Sequence, residues 1–430
     1  MTSAIIVTVG SLLAFLIIGM PVGFALGVSG SIGLWMINGL ELVSGILQTT
    51  PHSSAASFVL TAVPMFVLMA EYATVSGMTR DAFVAAYRFL GHIKGGLAIA
   101  CVLASAGMAA VSGSSTASAA TMAKAAIPEM RKYNYDDALS AGVVGVAGTL
   151  AIMIPPSIIL ILYGIMTEVS IGDLLIAGII PGIVTAVGYF ISIYFWVRKK
   201  PDIAPTIEPF SRRERMDALK KVWPMLVLIT AVLVGIYSGA ITPTEAGAFG
   251  SFIAFLITLT ARNKGEKWLE KVLSHTATTT AMIFTIIIGA MVFGYFLTYT
   301  QVTQNLIGFV GGLNVSNWVI LCIIIAIYLL LGMFMDQLAI LFLTVPLTFP
   351  LAMSLGFDPI WFGIIITKTA EIGLVTPPLG LNIYVVSSSA DVPIETAFKG
   401  TGRLLIVEFI VLLLLLLFPK IATWLPQLMS

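Results

Sequence analysis

Two adjacent prolines interrupt an apolar run in AIMIPPSIIL (residues 151–160), and a second pair interrupts another in TPPLGLN (residues 376–382). Proline has no N–H, so within a helix Pro155 and Pro156 deprive the carbonyls of Ala151 and Ile152 of donors. Pro377 and Pro378 do the same to Gly373 and Leu374. Free carbonyls are costly in lipid and are tolerated where they line a cavity or bind a hard cation, for which oxygen is the suited ligand. Beyond each break, near Ser157 and Gly380, a resuming helix presents a partly positive N-terminus that stabilises an anion. The run VSGSSTAS (residues 111–118) adds the hydroxyls of Ser112, Ser114 and Ser115 around a flexible Gly113, and Asp336 adds a carboxylate. This is chemistry for holding ions. Ser115, Ser157 and Asn382 are the side chains expected to meet an anion.

Covalent chemistry finds less support. The serines have no GxSxG context, no HExxH pattern occurs, and His52, His92 and His275 are scattered. Cys101 and Cys322 lie in separate apolar segments, without the spacing of a disulfide framework or a zinc site. An intramembrane enzyme, a cofactor and a nucleic-acid partner are therefore not expected; the net charge is +1.

The elements that position these groups follow from composition. Of 430 residues, 58% are hydrophobic and 10% charged, and repeated apolar runs approach the ~20 residues of a spanning helix. The fold expected is an all-α polytopic membrane protein. Alone, a proline pair reads as a kink, and VSGSSTAS as small-residue helix packing. Both, however, recur at one offset. From Pro155 to Pro377 is 222 positions, and the same shift pairs Pro21 with Pro243, Ser29 with Ser251, Ser114 with Asp336, Pro128 with Pro350, Asp136 with Asp358, and Gly178 with Gly400.

Charge then sets orientation. Arg198, Lys199, Lys200, Arg212, Arg213, Arg215, Lys220 and Lys221 crowd one linker, and Arg262, Lys264, Lys267 and Lys271 a nearby loop, so both are expected in the cytoplasm. Residues 95–130 have basic flanks on both sides, Arg88 and Lys94 before and Arg131 and Lys132 after. A single crossing would put the eight-charge linker outside; a re-entrant hairpin, with arms of about 25 Å or less, does not. The repeat places a second hairpin at 318–351, entering from the other side. Five crossings separate the hairpins, so the repeats are inverted, an arrangement typical of secondary transporters. The expected plan is ten crossings plus two hairpins. Residues 1–197 form the first repeat with broken helix 138–167, 198–221 the linker, and 222–430 the second repeat with broken helix 359–389. Lys368 and Lys420 are the Lys and Arg residues expected away from the cytoplasm. Lys368 and Glu371, at i and i+3, are expected to pair, and Glu71 lies near membrane depth.

The runs SGSSTASAATMAKAAIPEM, LAIMIPPSIILILYGIMTEVSIGDLLIAGIIPG, ITPTEAGA, LGMFMDQLAI and GLVTPPLGLNIYVV occur in this order along the chain. Together they resemble the large membrane subunit of TRAP transporters. The resemblance implies an elevator-type, sodium-coupled transporter of the bacterial inner membrane. It would work with a small four-helix membrane subunit, expected to be a separate chain, and a periplasmic binding protein delivering a C4-dicarboxylate, sialic acid or similar carboxylate. It also implies a first sodium site at Ser112, Ser114, Ala151, Ile154 and Pro156, and a second at Gly332, Asp336, Gly373, Thr376 and Leu379. Ala151 stands where a glycine matching Gly373 is expected. A self-sufficient organic-anion symporter or exchanger of related architecture is the alternative.

Overall fold

The computed structural model describes residues 1–261, 265–313 and 315–429, which form helices and connecting turns with no strand among them. Arg262 and Lys264 of the basic loop lie outside these residues. The first half runs α1 (Thr2–Ile18), α2 (Val22–Ala55), α3 (Ala62–Ser76), α4 (Met78–Leu90), α5 (Gly96–Ser112), α6 (Ser115–Lys132), α7 (Asp137–Ala147), α8 (Leu150–Met153), α9 (Ile158–Thr167) and α10 (Ile171–Lys199). The second runs α11 (Arg212–Tyr237), α12 (Pro243–Thr260), α13 (Trp268–Thr300), α14 (Val302–Gly311), α15 (Asn317–Gly332), α16 (Gln337–Ser354), α17 (Pro359–Leu374), α18 (Leu381–Ala390), α19 (Ile394–Leu417) and α20 (Lys420–Met429).

Moving α6 by 222 positions gives the bounds of α16, and the starts of α5, α7 and α9 fall within a residue of those of α15, α17 and α18. The recurring residues have structural jobs. Asp136 caps α7 by accepting from the Leu139 N–H at 3.1 Å, and Asp358 caps α17 by accepting from Trp361 N–H at 2.8 Å. Each satisfies an orphan donor of a helix start. Gly178 on α10 packs against the Met153 carbonyl, while Gly400 on α19 packs against Ala138 and Gly142. A side chain at either glycine would hold the long helix away from the broken one.

Eight described helices are long and apolar enough to span a bilayer, or nine if the pair 137–153 and 158–167, bent by 40°, counts as one. This set differs from the expected ten crossings in three places. It includes the hairpin arm α16, and it omits α1, which has 17 residues, and the interrupted pair α17 and α18. Packing is crosswise: α2 lies along α13, and α3 along α12, with α3 and α13 also in contact. Glycines allow the closest approach, since Gly289 of α13 meets the backbone of Gly23 in α2. The two hairpins pack on the broken helices, which are flanked by α10 and α19; the first hairpin also packs on α4 and α3, and the second on α13 and α14.

Candidate functional site

Each hairpin turns at a short segment between two helices, and a polar side chain caps the second arm. In the first, Ser114 is the N-cap of α6, and its hydroxyl accepts from Ala117 N–H at 3.5 Å. In the second, Asp336 caps α16 and accepts from Leu338 N–H at 3.0 Å. Both tips open into one cavity of about 360 Å³, a size suited to a small ligand. Ser112, Gly113, Ser114, Ser115 and Thr116 line it from one tip, and Asp336, Gln337 and Leu338 from the other. The facing wall comes from α3 and α13, with Glu71 and Thr279 as its polar members.

The first broken helix reaches the first tip. Gly113, at φ +59, lies so near the Pro156 carbonyl that a Cβ there would sit 3.1 Å from the oxygen. The Ser112 hydroxyl is 3.5 Å from the Ser114 carbonyl, and Ser112 and Ala151 are both buried. Ile154 N–H keeps the helical bond to Leu150 at 3.0 Å, while Pro155 has no N–H to offer Ala151. The first tip thus carries hydroxyl and carbonyl oxygens and packs at Gly113 against the Pro156 carbonyl, and oxygen is the donor type a hard cation takes.

In the second half the hairpin and the broken helix meet through two glycines. Gly332 and Gly373 touch backbone to backbone, so that a Cβ on Gly373 would lie 2.5 Å from the Gly332 Cα. Asp336 and Leu374 share the cavity. Gly332, Gly373, Thr376 and Leu379 do not line it, and neither do Ala151, Ile154 and Pro156 of the first half; the Thr376 hydroxyl donates to the Ile372 carbonyl at 2.6 Å, and the Leu379 side chain is exposed. One expectation is corrected here. The Gly373 carbonyl is not left free by Pro377, because the chain tightens and Thr376 N–H donates to it at 3.0 Å. Its second lone pair remains.

Of the side chains expected to meet an anion, Ser115 and Asn382 come together across the halves. Asn382 Nδ2 donates to Ser115 Oγ, and the buried Asn382 Oδ1 has no partner. Ser157 caps α9, accepting from Leu160 N–H at 3.3 Å, and is buried outside the cavity lining. Gln337 was not singled out from sequence. Its Nε2 donates to the Thr367 carbonyl at 3.2 Å, and its Oε1 is buried without a partner. The signal was its place after Asp336 in FMDQLAI, where the 222 shift sets it opposite Ser115.

Lys368 and Glu371 do pair, at 3.4 Å, but Lys368 also lies 2.5 Å from Glu408 of α19. Tyr189 of α10 donates to Glu408 Oε1, and the Thr149 hydroxyl is 3.2 Å from that oxygen. The group ties α17, α19 and α10 to the segment before Pro155 in a fully buried setting.

The chain matches, over residues 9–421, the family described as the tripartite ATP-independent periplasmic transporter, DctM component. It is 37% identical to the C4-dicarboxylate TRAP transporter large permease protein DctM of Pseudomonas aeruginosa, covering 94% of each chain. It is 34% identical to the sialic acid TRAP transporter large permease protein SiaM of Vibrio cholerae, covering 97% of each. To the 2,3-diketo-L-gulonate TRAP transporter large permease protein YiaN of Escherichia coli it is 29% identical, over 97% of this chain and 98% of that one. These relatives are permease subunits, not enzymes. The chain therefore belongs to the tripartite ATP-independent periplasmic transporters, as a multi-pass large permease subunit of the bacterial inner membrane.

Proposed function

We propose that this subunit imports a small organic acid, driven by sodium, with a periplasmic binding protein as donor and a small four-helix membrane subunit as companion. The observation that carries this reading is the meeting of both hairpin tips in one cavity, with hydroxyls and carbonyls at one and a carboxylate at the other. Sodium would bind first at Ser112, Ser114 and the carbonyls of Ala151, Ile154 and Pro156. It would bind second at Asp336 with oxygens of Gly332, Gly373, Thr376 and Leu379. Ser115, which lines the cavity, would receive the substrate together with its partner Asn382, and Ser157 would orient the start of α9. The cavity is lined by acidic and neutral side chains and by no Lys, Arg or His among the described residues, so bound cations would supply the charge that holds an anion. The substrates in the relatives' names, a C4-dicarboxylate, sialic acid and diketogulonate, are all acids.

The same grouping suggests the movement. Hairpins, broken helices, α10 and α19 would travel as one unit against a scaffold built on α2, α3, α12 and α13, as in an elevator. The halves would be inverted repeats, with the basic linker in the cytoplasm. Reconstitution tests the whole reading. Liposomes with this chain, the small subunit and the binding protein should take up labelled organic acid only under an inward sodium gradient. Uptake by this chain alone would replace the proposal with a self-sufficient carrier.

A further inference from the structure

A groove runs between α10 and α19 on the outer side of the unit that carries the sites. It has a volume of about 750 Å³ and is walled by apolar side chains, of which Val187, Ile191, Ile406 and Ile410 are exposed. One end differs in kind. There Lys199 and Arg403 line the groove together, with the Arg403 guanidinium 4.7 Å from the centre of the Trp196 ring. No Asp or Glu lines it among the described residues, and neither cation forms a salt bridge there.

We propose that this groove binds one anionic phospholipid of the inner leaflet, its acyl chains between α10 and α19 and its phosphate on Lys199 and Arg403. From Arg403 to Leu414 the groove follows α19 for roughly 16 Å at 1.5 Å per residue, which is about half of a ~30 Å hydrocarbon core. One leaflet's chain therefore fits along it. Two cations without carboxylate partners complement a phosphodiester carrying net negative charge better than a zwitterion, whose own ammonium they repel. The tryptophan beside them is the residue type that settles at the headgroup level. Because α10 packs on α8 and α9, and α19 on α7, α17 and α18, the lipid would ride with the moving unit and not with the scaffold. The assignment rests on the orientation proposed above, with the end of α10 at the cytoplasmic face.

The test uses the full purified chain in detergent, without sodium or substrate, so that its failure is separate from a failure of sodium coupling. Native mass spectrometry and thermal shift should show phosphatidylglycerol binding at least fivefold tighter than phosphatidylcholine. Lys199→Gln with Arg403→Gln should erase the preference. Arg403→Lys, which keeps the charge, should retain most of it, as should Lys220→Gln on α11. Equal binding of the two lipids, or a preference surviving in the double variant, overturns the proposal. So does cross-linking of cysteines at 191 or 410 to a second copy or to the small subunit, which would show a protein in the groove.

Discussion

The two hairpin tips occupy equivalent places in the repeat, yet one is neutral and the other charged. Ser114 caps α6 through a 3.5 Å contact and lies 3.4 Å from the Thr116 hydroxyl, whereas Asp336 caps α16 at 3.0 Å and brings a carboxyl group into the same cavity. Their supports differ in the same sense. The first tip leans on a broken helix whose Ala151 carbonyl lost its donor to Pro155. In the second half the Gly373 carbonyl has already taken Thr376 N–H. A repeat thus keeps the backbone plan while each copy supplies charge or free carbonyls in a different proportion. Under the proposed function, the first site relies on several neutral oxygens and the second on one carboxylate.

The halves also differ behind the sites, and the largest predicted effect lies there. Lys368, Glu371 and Glu408 correspond through the 222 shift to Val146, Thr149 and Ala186, so the second half alone provides the buried charges. Removing one partner of a buried ion pair strands the other, at a cost of about 3–5 kcal/mol. Lys368→Met should therefore lower the unfolding midpoint of the purified subunit sharply. Adding Glu408→Gln should recover part of the loss, since one of the two stranded carboxylates then becomes neutral while Glu371 stays. Equal midpoints for Lys368→Met and the parent would show that the cluster contributes no net stability, and the contrast between halves would reduce to the tips.

How much of this was legible in the chain depends on the range of the contact. The helix starts and the two breaks were readable because their punctuation is local: Asp136, Asp358, Ser114 and Asp336 sit where helices begin, and Pro155 and Pro377 follow where α8 and α17 stop. The pairing of Ser115 with Asn382 was not readable, although both residues stood out, because it joins positions 267 apart. Glu408 was missed for the same reason. In sequence it sits in an apolar span, and only the fold brings Lys368, Tyr189 and Thr149 around it. The bond from Thr376 to Gly373 is local but depends on how the backbone tightens before Pro377, which residue types alone do not specify.

At the tips the next effect is one of charge. Asp336→Asn keeps a residue that caps a helix about as well as aspartate, so α16 should start as before. What goes is the negative charge. A charged ligand replaced by a neutral one is worth upwards of about 1.4 kcal/mol here, a factor of ten in affinity. The sodium concentration for half-maximal uptake should rise at least tenfold in Asp336→Asn while the unfolding midpoint changes little. An unchanged sodium activation curve would remove Asp336 from the second site and leave it a capping residue.

The smallest effect is expected at the neutral tip, and there capping and ligation must be separated. Ser114→Ala removes both the weak cap and the hydroxyl; a lost cap costs about 1 kcal/mol of stability, and one neutral oxygen ligand among several a few-fold in sodium affinity. Ser114→Gly also lacks the hydroxyl but costs a cap only a few tenths of a kcal/mol. If Ser114 ligates sodium, both variants should raise the half-maximal sodium concentration by the same two- to fivefold, while only the alanine lowers the unfolding midpoint. If it merely caps α6, sodium dependence should follow stability, with glycine near the parent and alanine displaced. Sodium curves and melting midpoints for the two variants, set beside Asp336→Asn, therefore decide whether the tips are two ion sites of unequal charge or one site beside a structural turn.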